Sequence, residues 1–232
     1  MTAQARLPFH PHKVLIGIFA AMLTLSLVCS VSIREGHADV PVAATAEEIE
    51  PLRAGDEAPR FSAETVEGKT FGFEPQALER PVIVISFRGG WCPYCNTQLS
   101  ELRHVLPEIG EMGVDVLFLS GDRSELLYAS LEDATREDIA GLGYTILSDA
   151  NASAAIAFGI AFRAPEQTIQ RRHEKGQDID ASSMVLHGLL PVPSVFAIDT
   201  DGLIRFAYSN ADYKVRLPAA ELREVAAAMT GR

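Results

Sequence analysis

The chain is poor in cysteine and in positive charge, and it contains no internal repeat. Three cysteines among 232 residues are too few for a fold held together by disulfides. A formal net charge of −11 argues against nucleic-acid binding, because phosphate contacts need a basic surface. Hydrophobic residues make up 47% of the chain and charged residues 22%, which excludes a collagen, a coiled coil and a wholly disordered protein. The length favours one large globular domain.

A long apolar run lies near the N-terminus. Residues 14–31 carry no charge, Arg6 and Lys13 precede them, and Gly36-His37-Ala38 follows. The small residues at the ends of this tripeptide suit cleavage by a signal peptidase after Ala38, whereas the apolar run is also long enough for an uncleaved membrane anchor. We therefore predict that residues 1–38 are a signal peptide or a membrane anchor. The rest of the chain is expected to be extracytoplasmic, periplasmic or secreted, and to meet a membrane only through residues 14–31 if they are uncleaved.

The remaining sequence predicts a linker and one α/β domain. Residues 39–54 are rich in Ala, Glu and Pro without a periodic pattern, so we predict a flexible linker there and a folded domain over residues 55–232. Continuous β-branched runs or turn signals predict strands, and helical spacing of apolar residues predicts helices. The predicted strands lie within 61–73, 81–87, 114–119, 144–147, 195–198 and 203–207, and the predicted helices lie over 93–109, 124–140, 149–158 and 219–229. This order describes a mixed sheet flanked by helices.

The charged segment 163–190 does not continue that order. Residues 163–177 are interpreted as a surface helix, and residues 178–187 show no clear period. We interpret the whole segment as an insertion near the active-site face.

The main chemical motif is Cys92-Pro93-Tyr94-Cys95, which follows a predicted buried strand across Gly89-Gly90. The glycines allow a tight turn, and Pro93 suits the first position of a helix, where no amide proton is needed. Cys92 is thereby placed at a helix N-terminus, where unpaired amide groups and the helix dipole stabilise a thiolate. Cys95 lies one turn further along, within reach of a disulfide. The spacing predicts a pair that cycles between dithiol and disulfide.

Two structural roles for this pair compete with redox chemistry. A zinc site needs about four ligands, and the sequence has neither a second C-x-x-C nor an H-x-x-x-H to supply them. A permanent disulfide across two intervening residues closes too small a loop to add much stability. We therefore expect a redox-active pair without a metal or another cofactor.

Trp91 and Arg88 have two interpretations each, and Pro193 is a candidate for an unusual peptide bond. Trp91 either fills the core or shields a sulfur atom, and Arg88 either holds an anion near Cys92 or faces solvent. Pro193 directly precedes a predicted strand, and the peptide bond between Val192 and Pro193 is a candidate for the cis form.

Several stretches of the chain together resemble one known family. They are residues 55–61, 88–95, 147–149, 158–159 and 193–202, with Asp212, Tyr213 and Arg216. On these stretches, residues 55–230 resemble the peroxiredoxin-like branch of the alkyl hydroperoxide reductase/thiol-specific antioxidant family. The resemblance implies a thioredoxin-like fold, a central mixed β-sheet flanked by helices, with Cys92 as the attacking thiol.

The site departs from the family pattern at three positions. Typical peroxiredoxins carry Pro and Thr where this chain has Ile85 and Gly89, and Arg where it has Pro193. A proline there is what thioredoxins have, and Cys-Pro-Tyr-Cys is also the active-site tetrapeptide of glutaredoxins. The missing Thr and Arg imply peroxidase activity that is measurable but slower than that of a typical peroxiredoxin.

Three functions remain open at this point. The first is a thiol peroxidase, in which Cys92 reduces a hydroperoxide, Cys95 resolves the sulfenic acid and a thioredoxin-like reductant restores the dithiol. The second is a thiol-disulfide oxidoreductase acting on protein disulfides outside the cytoplasm. The third is a copper-delivery protein that adds a histidine such as His187 to the two thiolates. His104 is interpreted as a surface residue, and the ordinary interpretation of His187 is also a solvated side chain.

Overall fold

The computed structural model of the protein describes residues 42–174 and 187–231. The predicted signal peptide or anchor, residues 1–38, lies outside these ranges, as do residues 178–186 of the segment without a clear period. Within the described ranges, the structure contains no helix with the length and apolar character needed to cross a membrane.

The strands confirm the predicted order and add two short ones. They are β1 (Phe61–Glu64), β2 (Thr70–Phe73), β3 (Val82–Phe87), β4 (Asp115–Ser120), β5 (Thr145–Ser148), β6 (Ala161–Arg163), β7 (Leu189–Pro191), β8 (Ser194–Ile198) and β9 (Ile204–Ser209). The larger sheet has the order β2-β1-β5-β4-β3-β8-β9. Strands β3, β4 and β5 are parallel, and β8 and β9 continue the sheet from β3 in antiparallel pairs. The predicted mixed sheet is therefore confirmed.

The central strand β3 is buried along its whole length, as its continuous β-branched run predicted. Its alternate residues enter two separate cores, because successive side chains of a strand point to opposite faces. Val82 and Val84 join one core, and Ile83, Ile85 and Phe87 join the other. Helices cover both faces, as the α/β prediction required.

The helices are α1 (Pro93–Leu102), α2 (Leu106–Glu111), α3 (Asp133–Ile139), α4 (Ser153–Ala157), α5 (Glu166–Glu174) and α6 (Ala219–Thr230). The helix predicted over 93–109 is in fact two helices. Pro107 has no amide proton and its ring would collide with the carbonyl of Arg103 in a continuous helix, so the chain breaks between α1 and α2. The short helix predicted at 149–158 and the closing helix predicted at 219–229 are confirmed as α4 and α6.

The helix predicted to begin at Ser124 is wrong in its first half. Residues Ser124–Leu126 form only a 3-10 turn, and the α-helix begins at Asp133. The Ser124 hydroxyl donates a hydrogen bond to Glu64 Oε2 at 2.8 Å instead of capping the backbone. Without that cap the helical start signal is lost.

Residues 42–54 contradict the predicted flexible linker. The amide of Leu52 donates to the carbonyl of Phe158 at 3.1 Å, and the carbonyl of Ala43 accepts from the amide of Arg163 at 3.0 Å. Ala46 is buried in the core, and Val42 and Leu52 are partly buried against it. The apolar side chains of this segment therefore attach it to the domain, a role that its high Ala, Glu and Pro content concealed.

The segment predicted as an insertion has a helix and an unpredicted small sheet. Strands β6 and β7 pair antiparallel at its two ends, and α5 occupies most of the predicted surface helix. Most of α5 is exposed, but Arg172 is buried with its guanidinium carbon 3.9 Å from the centroid of the Trp91 ring. This contact places α5 beside the cysteine motif.

Candidate active site

The cysteine motif lies where β3 passes through a glycine turn into α1. Cys92 is the residue that precedes the helix, with extended backbone angles, and Pro93 is at its first position. The Cys92 carbonyl accepts from the amides of Cys95 and Asn96 at 2.9 and 3.1 Å, which forms the first turn. The sequence-predicted placement of Cys92 at a helix N-terminus is the geometry observed, and the helix dipole there favours a thiolate.

Both cysteines are reduced and buried, and their thiols have opposite acidities. Cys92 is 2% exposed and Cys95 is fully buried. The hydrogen bond from the Cys95 thiol lowers the pKa of Cys92, and attraction to Arg216 and Arg88 lowers it further against the effect of burial. Burial raises the pKa of Cys95 well above its ordinary value, and the neighbouring Cys92 raises it further. These opposite shifts favour the thiolate form of Cys92 and the protonated form of Cys95.

Arg216 is the principal residue of the site that the sequence analysis did not assign a role. Its Nη2 atom donates to Cys95 Sγ at 3.3 Å and lies 3.8 Å from Cys92 Sγ. Its Nη1 atom donates to Gln98 Oε1 at 3.2 Å, and its Nε atom donates to the carbonyl of Tyr213 at 2.9 Å. The guanidinium is thus fixed beside both sulfur atoms, where its charge stabilises a thiolate. The only signal in the sequence was its place in the Asp212, Tyr213 and Arg216 stretch.

Arg88 is buried near the cysteine motif, and its positive charge lowers the pKa of Cys92. The residue is 8% exposed, and its guanidinium carbon lies 4.2 Å from the centroid of the Tyr213 ring and 5.6 Å from that of Phe162. Burial lowers the pKa of the guanidinium, and attraction to Cys92 opposes that effect. A solvent-facing Arg88 is therefore ruled out, and the charges of both Arg88 and Arg216 lower the pKa of Cys92.

Gly89 occupies the place of the peroxiredoxin threonine for a steric reason. Its φ is +139°, and a methyl group on it would lie less than 3.0 Å from Asp122 Oδ1 and from Trp91 Nε1. Asp122 is fully buried, and burial raises the pKa of its carboxyl group. Among the described residues neither Asp122 Oδ1 nor Trp91 Nε1 has a hydrogen-bond partner. These two side chains fill the space that a larger residue at position 89 would need.

Asp122 and Asn96 hold the glycine turn from opposite sides. Asp122 Oδ2 accepts from the amide of Gly90 at 2.7 Å and from the hydroxyl of Ser130 at 2.6 Å. Asn96 Nδ2 donates to the carbonyl of Gly90 at 2.6 Å, and its Oδ1 accepts from the amide of Glu132 at 3.0 Å. The position of the turn, and so of Cys92, is fixed by buried polar groups that no local motif revealed.

Trp91 is half-buried and packs against both cores. Its ring is covered by Arg172 on one side. Because one of these cores contains Cys92 and Cys95, core packing and shielding of a sulfur atom both stay predictions.

Pro193 precedes β8, which pairs with the end of β3, but its peptide bond is not cis. The structure has only trans peptide bonds in its described residues, so the candidate cis bond after Val192 is wrong. The carbonyl of Pro193 accepts from the amide of Asn210 at 3.3 Å, and Ser194 Oγ donates to the carbonyl of Val192 at 2.9 Å. The trans form fits these bonds and is the ordinary preference of an X-Pro bond.

The two histidines considered in the sequence have surroundings that fit ordinary structural roles. His104 is exposed, as expected. His187 Nδ1 accepts from the amide of Leu189 at 3.0 Å, which leaves Nε2 to donate to the carbonyl of Ala150 at 2.9 Å. Both ring nitrogens are engaged with the backbone, and the described residues contain no cluster of three His, Cys, Asp or Glu side chains suited to a metal. Nothing in this arrangement favours the copper-delivery interpretation.

A buried strand, a glycine turn and a C-x-x-C at the start of a helix define a protein of the thioredoxin fold with a dithiol site. More specifically, residues 54–207 match the AhpC/TSA family, and the chain belongs to that family. The resemblance inferred from the sequence is thereby confirmed.

Two kinds of relative match the sequence. Peroxiredoxin Bcp of Escherichia coli (strain K12) is 32% identical over 112 residues, which cover 48% of this chain and 67% of the relative. Thiol-disulfide oxidoreductase ResA of Bacillus anthracis is 24% identical over 155 residues, which cover 67% and 69%. Both names denote oxidoreductases, and they correspond to the first two functions left open by the sequence.

Solved structures show the same fold at low sequence identity. A peroxiredoxin-like protein from Aquifex aeolicus has a TM-score of 0.57 and 18% identity, with 78% of this chain and 89% of that chain covered. Peroxidoxin BcpB from Mycobacterium tuberculosis has a TM-score of 0.53 and 19% identity, with 78% and 97% covered. These similarities confirm the thioredoxin-like fold.

Proposed function

We propose that the protein is an oxidoreductase that reduces hydroperoxides through a Cys92/Cys95 dithiol–disulfide cycle. The observation that carries the proposal is the buried Cys92 sulfur, whose thiolate is stabilised at the N-terminus of α1 and by Arg216 and Arg88. A small peroxide can reach a sulfur that is 2% exposed, whereas a protein disulfide requires far more room. The match to peroxiredoxin Bcp supports the same assignment.

The reaction has two chemical steps within the chain. The Cys92 thiolate attacks the terminal oxygen of the hydroperoxide, the O–O bond breaks, and Cys92 becomes a sulfenic acid while the leaving alkoxide or hydroxide takes a proton from solvent. The Cys95 sulfur then attacks the sulfenic sulfur, and the Cys95 proton leaves with the hydroxyl group as water. Arg216 contacts both sulfurs and so remains beside the charge in each step. Arg216 and Arg88 supply the electrostatic help for which typical peroxiredoxins use a Thr and another Arg.

The resulting disulfide needs an external reductant, for which we propose a thioredoxin-like dithiol protein. Exchange with such a donor transfers two electrons and two protons and restores both thiols. In one structural neighbour, a yeast mitochondrial 1-Cys peroxiredoxin, the thiol is resolved via the glutathione and thioredoxin systems. A donor of the second kind would suit the dithiol site of this chain.

A thiol-disulfide oxidoreductase is the second candidate. The similarity to ResA over 155 residues favours it, as does Pro193 at the position where thioredoxins have a proline. In this alternative Cys92 attacks a protein disulfide, and Cys95 resolves the mixed disulfide. The burial of both sulfurs disfavours it for the reduced protein.

One kinetic comparison separates the two candidates. The reduced protein is mixed in turn with hydrogen peroxide and with a model protein disulfide, and the loss of Cys92 thiol is followed for each. We expect the peroxide to react faster. A protein that exchanges with the disulfide readily but reduces peroxide no faster than free cysteine would be the second candidate instead.

We also propose that the mature domain lies outside the cytoplasm, either free or tethered by residues 14–31. The support is the basic, apolar and polar order of residues 6–38. Cell fractionation with N-terminal sequencing tests it. We expect an extracytoplasmic product, either beginning after Ala38 or retaining the apolar run in the membrane fraction. A cytosolic product that begins at Met1 or Thr2 would contradict the proposal.

A further inference from the structure

The loop that joins β9 to α6, residues 210–218, covers the two sulfur atoms; we call it the tail loop. Arg216 of this loop contacts both sulfurs. Leu217 is 3% exposed and belongs to the same core cluster as Cys92 and Cys95. Reactive cysteines normally lie in partly exposed surroundings, whereas Cys92 is only 2% exposed. The tail loop therefore supplies a cover that the C-x-x-C motif alone does not require.

Tyr213 fixes the tail loop to the rest of the site through its aromatic ring. The ring centroid lies 4.2 Å from the guanidinium carbon of Arg88 and 5.6 Å from the ring centroid of Tyr94, in an edge-to-face arrangement with the latter. The Tyr213 carbonyl accepts from Arg216 Nε, so the position of the ring and that of the Arg216 guanidinium are linked. Cation–π and edge-to-face contacts of this kind each stabilise a partly buried ring.

We propose that Tyr213 is a specificity-determining residue, which holds the tail loop over the reduced dithiol so that hydroperoxides enter and protein disulfides do not. The proposal rests on the peroxidase function proposed above. Reacting atoms must approach to about 3–3.5 Å before a bond forms. Hydrogen peroxide can do so with two heavy atoms, whereas a protein disulfide brings polypeptide with each sulfur and requires the tail loop to move aside.

Oxidation weakens the same cover when a protein donor must enter. In the reduced state the Arg216 cation faces the Cys92 thiolate, a charge-assisted contact. Peroxide converts this thiolate to a sulfenic acid, and attack by Cys95 then forms the disulfide with release of water, so neither sulfur is charged. Loss of a charge-assisted contact raises the open fraction of the loop by about tenfold or more. The oxidised protein thereby admits a dithiol protein that the reduced protein excludes.

The test compares two maleimides of different size on the reduced full-length protein, with labelling of Cys92 read by mass spectrometry. N-ethylmaleimide is the small probe, and a maleimide on a long polyethylene glycol chain is the large one. Tyr213→Ala should lower the preference for the small probe by about tenfold, because both ring contacts that hold the tail loop are lost. Tyr213→Phe should keep the wild-type preference. Tyr128→Ala removes an exposed tyrosine outside the site and is the matched control.

An unchanged preference in Tyr213→Ala would overturn the proposal. If that variant does not fold, Tyr94→Ala removes one of the two ring contacts of Tyr213 and should change the preference in the same direction. Hydrogen exchange of the amides in residues 210–218 tests the claim that oxidation loosens the tail loop. We expect faster exchange in the oxidised protein than in the reduced protein. Equal exchange in the two states would refute that claim. Neither measurement uses a peroxide, so both test the tail loop independently of the peroxidase function. A protein that gives the expected results in both but does not reduce peroxide would contradict the proposed peroxidase function alone.

Discussion

The glycine turn before Cys92 gives a prediction whose size follows from its surroundings. In Gly89→Ala the new methyl group lies less than 3.0 Å from Asp122 Oδ1 and Trp91 Nε1, at a backbone φ of +139°. Backbone strain of this kind costs about 1–3 kcal/mol. Forcing an extra methyl group into a filled space costs about 1–3 kcal/mol more. Alanine lowers the conformational entropy of the unfolded chain, which offsets about 0.4–1 kcal/mol of this destabilisation. We expect a loss of about 2–5 kcal/mol in the free energy of unfolding.

Urea denaturation of the reduced protein measures this loss, and two other glycines separate its causes. Gly141 also has a positive φ, of +74°, but a Cβ there meets nothing within 4 Å, so Gly141→Ala should show the backbone strain alone. Gly72 has neither constraint, and Gly72→Ala should be neutral or slightly stabilising. Gly89→Thr, which inserts the residue of typical peroxiredoxins, should be at least as destabilising as Gly89→Ala. If Gly89→Ala lowers the free energy of unfolding no more than Gly141→Ala does, the steric explanation for glycine in place of threonine at position 89 would be refuted.

Four further predictions concern the reactive groups. Cys92→Ser should abolish redox activity, and Cys95→Ser should leave a sulfenic acid or mixed disulfide that can be trapped. Turnover by Cys92→Ser would contradict the assignment of Cys92 as the attacking cysteine and Cys95 as the resolving one. The lowered pKa of Cys92, about 6, means that its thiolate fraction and its rate of alkylation by iodoacetamide should rise with pH through about 6 and then level off. Arg216→Met should move that midpoint upward, because it removes a positive charge from the thiolate, and an unmoved midpoint would exclude this role. Arg88→Met should slow peroxide reduction more than disulfide exchange; equal slowing in stopped-flow assays would mean that Arg88 acts only on the thiolate.

The parts of the site that are local in sequence could be predicted, and the parts that depend on distant contacts could not. The β-branched run before Gly89, the glycines and Pro93 together indicate a strand, a turn and a helix, so the position of Cys92 followed from short-range rules. Arg216 lies 124 residues from Cys92 in the chain. Its approach to the sulfurs depends on how β9 and the tail loop fold back over α1, which no periodicity encodes.

Two of the wrong predictions have their origin in tertiary contacts. Ser124 has the chemistry of a helix cap, but Glu64 on another strand takes its hydroxyl group. Residues 42–54 have a linker-like composition, but a few apolar side chains find partners in the core. In both places local preference was overridden by a neighbour that is distant along the chain.

The most direct test of the central claim is the rate at which reduced Cys92 reacts with hydrogen peroxide. Trp91 is the only tryptophan and adjoins Cys92, so stopped-flow fluorescence can follow the reaction in the unmodified protein. The account predicts a second-order rate constant clearly above that of free cysteine at the same pH, and above that for a model protein disulfide. A peroxide rate no better than free cysteine, with faster reaction at the protein disulfide, would contradict it and identify the protein as a thiol-disulfide oxidoreductase.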